Sequence, residues 1–313
     1  MRVLKASSQI EERSEVRGGL ANIERAGRLC YKSEDKITDT SADAFVRGLI
    51  QRKHLSVLEH GDMIFETDDR GIYADVVDGL QALRNLGLRA PMIAVSCVKD
   101  RYVVSGNLRA WMELFARGTF GGRHFIGHFD PLYTRGRGYI AEGAEPDPRV
   151  RPIRYADLSS PWEKRAHLRQ TVRFVVDRGV SHEFVRHRVM SFSQESTRYC
   201  NYAQARFGRE ITVIEPCYLA QGTEGYQIWA RQCERAEEAY FALLNYGLSP
   251  QEARAVLPSS TKTELLMTGT LEAWQHFFDL RAKRVTGPAH PQAEEVAVPL
   301  YERFKARYPD VIT

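Results

Sequence analysis

The sequence predicts an α+β protein, and three observations lead there. Amphipathic helical patterns dominate the C-terminal half. Short β-type runs bounded by turn residues interrupt them at 61–68 and 211–214. The 313 residues, 43% hydrophobic and 27% charged, have an ordinary globular composition, with chain enough for one large domain or two. The net charge of +4, from 44 basic and 40 acidic side chains, suits an anionic small ligand and is too weak to indicate nucleic acid. No apolar run approaches the roughly eighteen residues of a membrane helix. The N-terminus, Met1-Arg2-Val3-Leu4-Lys5-Ala6, lacks a signal-peptide h-region, so a cytoplasmic protein without membrane contact is expected. Cys30, Cys97, Cys200, Cys217 and Cys233 are odd in number and lack C-x-x-C spacing. They read as reduced thiols, not as zinc ligands or a disulfide framework.

Taken in order, the pattern predicts a strand, a helix over about Glu11–Cys30 and a second helix over Ala42–Gln51. Asp39 to Ser41 supply its cap, and Asp43 falls in its first turn. Gly61 to Asp68 partly alternate and read as a strand. Residues 74–88 are helical in pattern, with Val77, Leu80, Leu83 and Leu86 on one face. Arg89 to Pro161, with glycine-rich and basic turns and a Pro/Glu/Asp-rich segment, is the least legible stretch. A helix is predicted over 162–178, with Leu168, Val172 and Val175 inward and Gly179 as terminator. Ser181 is expected to cap a short helix after it. Ile211 to Ile214 form a strand. The helix over 223–246 carries Tyr226, Trp229, Cys233, Ala236, Tyr240 and Leu243 at spacings of three and four, a stripe read as core or subunit interface. Ser249-Pro250-Gln251-Glu252 is a capping box with proline at the first helical position. A helix near 263–280 has Met267, Leu271, Trp274 and Phe278 on one face, and a last helix spans 291–307. Ser105 to Phe115 echo Thr268 to Phe278, with glycine, leucine, Ala-Trp and phenylalanine at the same offsets. Two helices with similar starts are preferred as the reading, beside a remnant of internal duplication.

The chemistry concentrates in Arg186-His187-Arg188-Val189-Met190-Ser191-Phe192-Ser193-Gln194-Glu195-Ser196-Thr197-Arg198. Three arginines and a histidine stand against one carboxylate. Arginine offers a permanently charged fork matched to phosphate, and serine hydroxyls and turn amides supply further donors. In a helix, side chains at 186, 187 and 188 fan out by about 100° per residue and reach different ligands or parts of one. Upstream, His54-Leu55-Ser56-Val57-Leu58-Glu59-His60 packs two histidines and a carboxylate together. Its spacing has no standard metal geometry, and no metal is expected. Cys200, beside the basic stretch, has no paired base identifiable from spacing, so a nucleophile role is not assigned to it.

The 186–198 stretch resembles the R-H-R-x-x-S-x-N-x-x-S-x-R signature of the flavin-dependent thymidylate synthases (ThyX), departing only at Ser193. Three further stretches agree with that family: 54–60 with its H-x-S/T-x-x-E-H segment, Ala253-Arg254-Ala255-Val256-Leu257-Pro258 with its A-R-x-V-L-P, and Phe277-Phe278-Asp279-Leu280-Arg281 with its F-x-x-L-R. The resemblance covers roughly residues 1–68 and 162–308. It implies a central antiparallel β-sheet packed with helices, in a single catalytic domain over 1–313 with a family-variable insertion at about 70–160. It also implies reductive methylation of dUMP to dTMP, with 5,10-methylenetetrahydrofolate as carbon donor, NADPH as reductant and FAD as cofactor, in a homotetramer with shared sites. Carried over residue by residue, Glu183, Arg186, Gln194, Glu195, Ser196, Arg198, Arg254 and Arg281 would bind dUMP. Ser56, Glu59, Arg186, His187, Arg188 and His276 would bind FAD. Arg281, Ser196 and His54 would serve catalysis, Ser196 by binding the nucleotide and His54 beside the flavin ring where folate stacks.

Two departures bear on the cofactor. The family's N-x-R helix start is here Thr270-Leu271-Glu272, and Asn107 and Arg109 of the echo are a candidate substitute. Residues 282–290 are lengthened before His290-Pro291-Gln292. Two other readings stand beside this one: a relative acting on another pyrimidine nucleotide, and a nucleic-acid-binding protein using the 186–198 stretch with Tyr199 and Tyr202 for stacking.

Overall fold

The computed structural model describes residues 1–13, 19–87, 92–98, 101–116, 122–129, 146–198, 200–204 and 208–313. Two four-stranded antiparallel sheets carry the fold. In one, β7 (Arg169–Asp177) and β10 (Lys262–Thr270) form the centre, flanked by β2 (Ser7–Glu11) and β8 (Ser191–Gln194) in the order β2-β7-β10-β8. In the other, β3 (Asp62–Thr67) and β5 (Arg101–Asn107) are central, with β4 (Ile93–Val98) and β6 (Arg151–Ile153) outside, in the order β4-β5-β3-β6. A parallel pair joins β1 (Arg2–Leu4) to β9 (Thr212–Ile214). The helices are α1 (Leu20–Tyr31), α2 (Ser41–Gln51), α3 (Arg70–Asn85), α4 (Leu108–Ala116), α5 (Arg123–Ile126), α6 (Pro161–His167), α7 (Arg178–Phe184), α8 (Glu224–Asn245), α9 (Pro250–Ala253), α10 (Leu271–Arg281) and α11 (Pro291–Arg307). The α+β class and the antiparallel pairing agree with expectation. The stretch expected as an insertion builds most of the second sheet.

Two predicted helices are corrected, for one reason. Residues 162–178 divide into α6 and β7, and 263–280 into nearly all of β10 and then α10. Seven of the nine β7 residues are buried: Val172, Phe174 and Val176 pack on one face into the cluster with Trp274 and Phe277, and Arg169 and Thr171 on the other face are covered as well. A strand buried on both faces loses its polar alternation, and its apolar run fits a helical period equally well. The helix expected from Glu11 begins at Leu20, since Ser7–Glu11 are spent in β2. Ser181 lies inside α7. The cap is Asp177, whose Oδ1 accepts from Val180 N at 2.8 Å.

The echo between Ser105–Phe115 and Thr268–Phe278 is a strand-to-helix junction in both places, β5 into α4 and β10 into α10, and the likeness runs further. Asp62 stands opposite Asn107 in one central pair, as Arg169 stands opposite Thr270 in the other. Leu108 N donates to Gly61 O at 2.9 Å, and Leu271 N donates to Leu168 O at 3.0 Å. Asp69-Arg70-Gly71-Ile72 open α3 and Asp177-Arg178-Gly179-Val180 open α7, each through an aspartate cap. Contacts between the two units are reciprocal. His60 Nδ1 hydrogen-bonds Thr268 Oγ1 at 2.8 Å, and His167 Nδ1 hydrogen-bonds Ser105 Oγ at 2.9 Å. The leading strands are exchanged as well: β2, ahead of the first unit, pairs with β7, and β6, ahead of the second, pairs with β3. Contacts in which i meets j′ while j meets i′ are those of a twofold interface. Duplication of one unit accounts for all of this, whereas similar helix starts account only for the echo.

Candidate active site

A cavity of about 510 Å³ lies where the 54–60 stretch meets β8, lined among others by Lys53, His54, Ser56, Arg109, Gln194 and Ser196. Its N-terminal wall follows from how α2 ends. Lys53 adopts a left-handed φ of 58°, and His54 N returns to Leu49 O at 2.9 Å, which turns the chain into a 3₁₀ segment, Leu55–His60. Val57, Leu58 and His60 of that segment are buried, leaving His54 and Ser56 exposed at the cavity. The opposite wall follows from strand alternation. Gln194 and Ser196 face the cavity. Gln194 is held by donation to Ser181 Oγ at 2.9 Å and Thr263 Oγ1 at 3.1 Å, while Ser196 N donates to Cys30 O at 3.2 Å. Glu59 joins through Arg109, whose Nη1 donates to Glu59 Oε1 at 2.7 Å and whose Nε donates to Glu113 Oε1 at 2.8 Å.

Glu195 turns the other way. It is buried and accepts from Lys262 Nζ at 2.8 Å. It lines a separate cavity of about 600 Å³ with Lys32, Tyr202 and Lys262. There Glu264 is in ion-pair contact with Lys32, Lys262 and Arg173. Burial opposes its charge, but these cations prevail and lower its pKa to about 2. Sequence reasoning missed this network, because lysine and glutamate at positions two apart in a strand carry no visible partner.

A second group gathers Glu183, His187, His276 and Arg281. Arg281 Nη1 donates to Glu183 Oε2 at 2.7 Å, and its Nε donates to His187 Nε2 at 3.4 Å. The His187 and His276 rings lie 5.9 Å apart. Burial first, then the charge on Arg281 and the neighbouring His276, lower the His187 pKa to about 4. The imidazole is therefore neutral at pH 7, with Nε2 as acceptor. Arg254 stands elsewhere, donating to Thr197 Oγ1 at 3.0 Å. Arg186, Arg188 and Arg198 are exposed. One chain thus brings His54, Ser56, Gln194 and Ser196 together, with Glu59 behind Arg109. It keeps the Arg281 group and Arg254 as separate contacts. Cys200 is fully buried in the apolar cluster under α8, away from the cavity. Tyr199 lies outside the described residues. Among the described residues no cluster of three or more metal-ligating side chains occurs, and no helix is long and apolar enough to cross a membrane.

The model of the family of thymidylate synthase complementing proteins, Thy1, matches residues 14–78 and 153–310. Flavin-dependent thymidylate synthases from Geobacter sulfurreducens (32% identical, 34% of this chain and 44% of the relative), Pyrococcus furiosus (30%, covering 41% and 50%) and Corynebacterium aurimucosum (32%, covering 43% and 56%) are similar to it. The chain therefore spans about half the length of these curated relatives. A crystal structure of the UMP/dUMP methylase PolB from Streptomyces cacaoi, bound with 5-Br dUMP, aligns with 98% of this chain and 93% of that one. Its identity is 17% and its TM-score 0.41, too loose a likeness to carry an argument. The match of the family model over residues 14–78 and 153–310, well over half of the chain, makes it a member of the flavin-dependent thymidylate synthase family.

Proposed function

We propose that this chain methylates dUMP reductively to dTMP, taking carbon from 5,10-methylenetetrahydrofolate and electrons from NADPH, with FAD as cofactor. The observation that carries the reading is the cavity joining His54 and Ser56 to Gln194 and Ser196, two sequence-distant segments with the donors that a pyrimidine nucleotide and a phosphate-bearing cofactor require. Lys53, Arg109 and Ser56 supply cationic and hydroxyl donors, and Leu55 and Val57 supply apolar wall; that donor set fits a flavin nucleotide. The flavin supplies the hydride chemistry.

In this reading Arg186, Arg198 and Arg254 hold the nucleotide phosphate, while Gln194 and Ser196 position the base and sugar; Glu195, expected with them, is held by Lys262 on the opposite face instead. Glu183 contacts the uracil. Arg281 polarises its carbonyl so that C5 becomes nucleophilic, a role suited to a cation already oriented by a carboxylate and a neutral imidazole. His187, Arg188, His276, Ser56 and Glu59 hold the cofactor, and His54 borders the folate position. The whole of 1–313 works as one catalytic domain. Because the Arg281 group and the cavity are separate within one chain, the complete site is assembled between subunits of a homotetramer, in the cytoplasm. No nucleic acid is required.

The test is the visible spectrum of the purified protein with FAD and dUMP, followed by anaerobic NADPH. Flavin bleaching and dTMP formation on adding methylenetetrahydrofolate are expected. A protein that takes up no flavin would remove the assignment, and methylation of UMP in preference to dUMP would move it to a different pyrimidine nucleotide.

A further inference from the structure

We propose that Arg109 is a cofactor-binding residue of this cavity, supplied by the first repeat to hold the phosphate-bearing part of the flavin nucleotide. The proposal rests on the flavin reading above. Arg109 lies at 108–116, a stretch outside the family-model match, yet its side chain lines the cavity beside Lys53 and Ser56.

Comparison of the two repeats isolates what is particular about it. By the strand-to-helix echo Arg109 corresponds to Glu272, and by the central-strand register Lys53 and Ser56 correspond to Ser160 and Glu163. In the second repeat these positions are structural. Ser160 and Glu163 cap α6 reciprocally, Glu163 is bound by Arg101 at 2.5 Å, and Glu272 is an exposed first-turn residue. In the first repeat the same three positions are cation, hydroxyl and cation around a cavity.

The guanidinium is also fixed in place. Glu113 engages Nε and Glu59 engages Nη1, so the planar fork is immobilised and Nη2 stays uncommitted among the described residues. Two carboxylates offset much of its charge. The gain on binding then comes chiefly from a pre-oriented, charge-assisted hydrogen bond.

Fluorescence titration of the flavin-free protein with FAD tests this, using Arg109→Ala, Arg109→Lys and Glu113→Gln. We expect Arg109→Ala to weaken FAD binding by about tenfold or more, the scale of one charge-assisted hydrogen bond, with dUMP affinity within about twofold of wild type. Arg109→Lys should recover part of the loss. Glu113→Gln keeps an acceptor for Nε but removes its charge, leaving the cavity wall unaltered, and should weaken FAD binding only about two- to threefold, clearly less than Arg109→Ala. Wild-type FAD affinity in Arg109→Ala, or an equal loss in Glu113→Gln, would overturn the assignment while leaving the flavin reading intact. Failure of the wild-type protein to take up FAD would overturn both.

Discussion

The outer strand beside each central pair occupies the same place in the two repeats. Ala94 stands opposite Ser105 in one, as Ser191 stands opposite Thr268 in the other. By that register Cys97 and Val98 of the first repeat stand where Gln194 and Glu195 stand in the second, so the counterpart of the signature strand lacks both polar side chains, although Val98 still borders a cavity lined by Glu66, Arg101 and Arg151. Buried features changed far less. Each repeat keeps its histidine-to-hydroxyl contact across the interface and its aspartate cap. Each also keeps a glycine before the strand-to-helix junction: a Cβ at Gly106 would meet the Trp111 ring at 2.9 Å, and one at Gly269 would meet Met190 at 2.9 Å. The cross-strand ion pair is kept with its signs exchanged, Glu66 with Arg101 in the first repeat and Arg173 with Glu264 in the second. Packing constrains volume, and the sheet constrains the net charge of a neighbouring pair; neither constrains which strand carries which sign. The candidate-site side chains lie at the rim, where no such constraint acts, and they come from both repeats.

The largest effect expected from this division is on turnover. Arg281→Ala should lower dTMP formation by about 10²–10³-fold, the usual cost of removing one preorganised electrostatic contact, whereas Glu272→Ala should leave it nearly unchanged. Equal losses would mean that the helix start of the second repeat is still part of the site.

Next come the ion pairs. Glu264 is buried among three cations, and its pKa falls from 4.5 to about 2. It therefore contributes stability that is full above about pH 4.5 and is lost as pH falls toward 2, on the order of 3 kcal/mol. Glu264→Gln should remove that stability in urea unfolding at pH 7. Glu66→Gln, at a more open pair, should cost under about 1 kcal/mol.

The reciprocal histidines make a sharper test of equivalence. Burial lowers the pKa of His60 from 6.5 to about 3 and that of His167 to about 4. Below pH 6.5 the unfolded chain takes up protons that the folded one refuses, so each histidine removes about 1.4 kcal/mol of stability per pH unit as pH falls toward 4. His60→Asn and His167→Asn should each flatten the dependence of the urea midpoint between pH 6.5 and 4.5, and by similar amounts. A flattening in only one would break the equivalence.

Smallest are the caps. Asp177→Ala should cost up to about 1 kcal/mol, and Asp69→Ala, at a more exposed cap, should lower the urea midpoint by less. Only Asp177→Ala should also weaken dUMP binding, because α7 leads directly into Arg186 and His187.

Much of the site was legible because its chemistry is local. The Arg186–Arg198 pattern stands out by residue type and spacing, whereas His54, Ser56, Arg254 and Arg281 became readable only through the family resemblance; on spacing alone Arg281 reads as a cation closing its helix. Elements with one exposed face were equally readable, as α8 and α11 show, since solvent enforces a period. Where both faces are buried that enforcement disappears, and β7 and β10 took on a helical look. The echo was visible as letters. Its meaning was not, because the matching pairs His60–Thr268 and His167–Ser105 are each separated by long stretches of chain and become evident only as contacts.

The sequence by itself determined the family, the basic signature and the α+β class, because motif chemistry and solvent-driven periodicity act over a few residues. Only the tertiary structure decided that the stretch beyond residue 70 builds a second copy of the core sheet. It also decided that Gln194 and Ser196 share a cavity with His54 while Glu195 turns into an ion network, and that Arg109 reaches that cavity. Those outcomes depend on strand register and on which faces are buried together, and both are set by contacts between residues far apart in the chain.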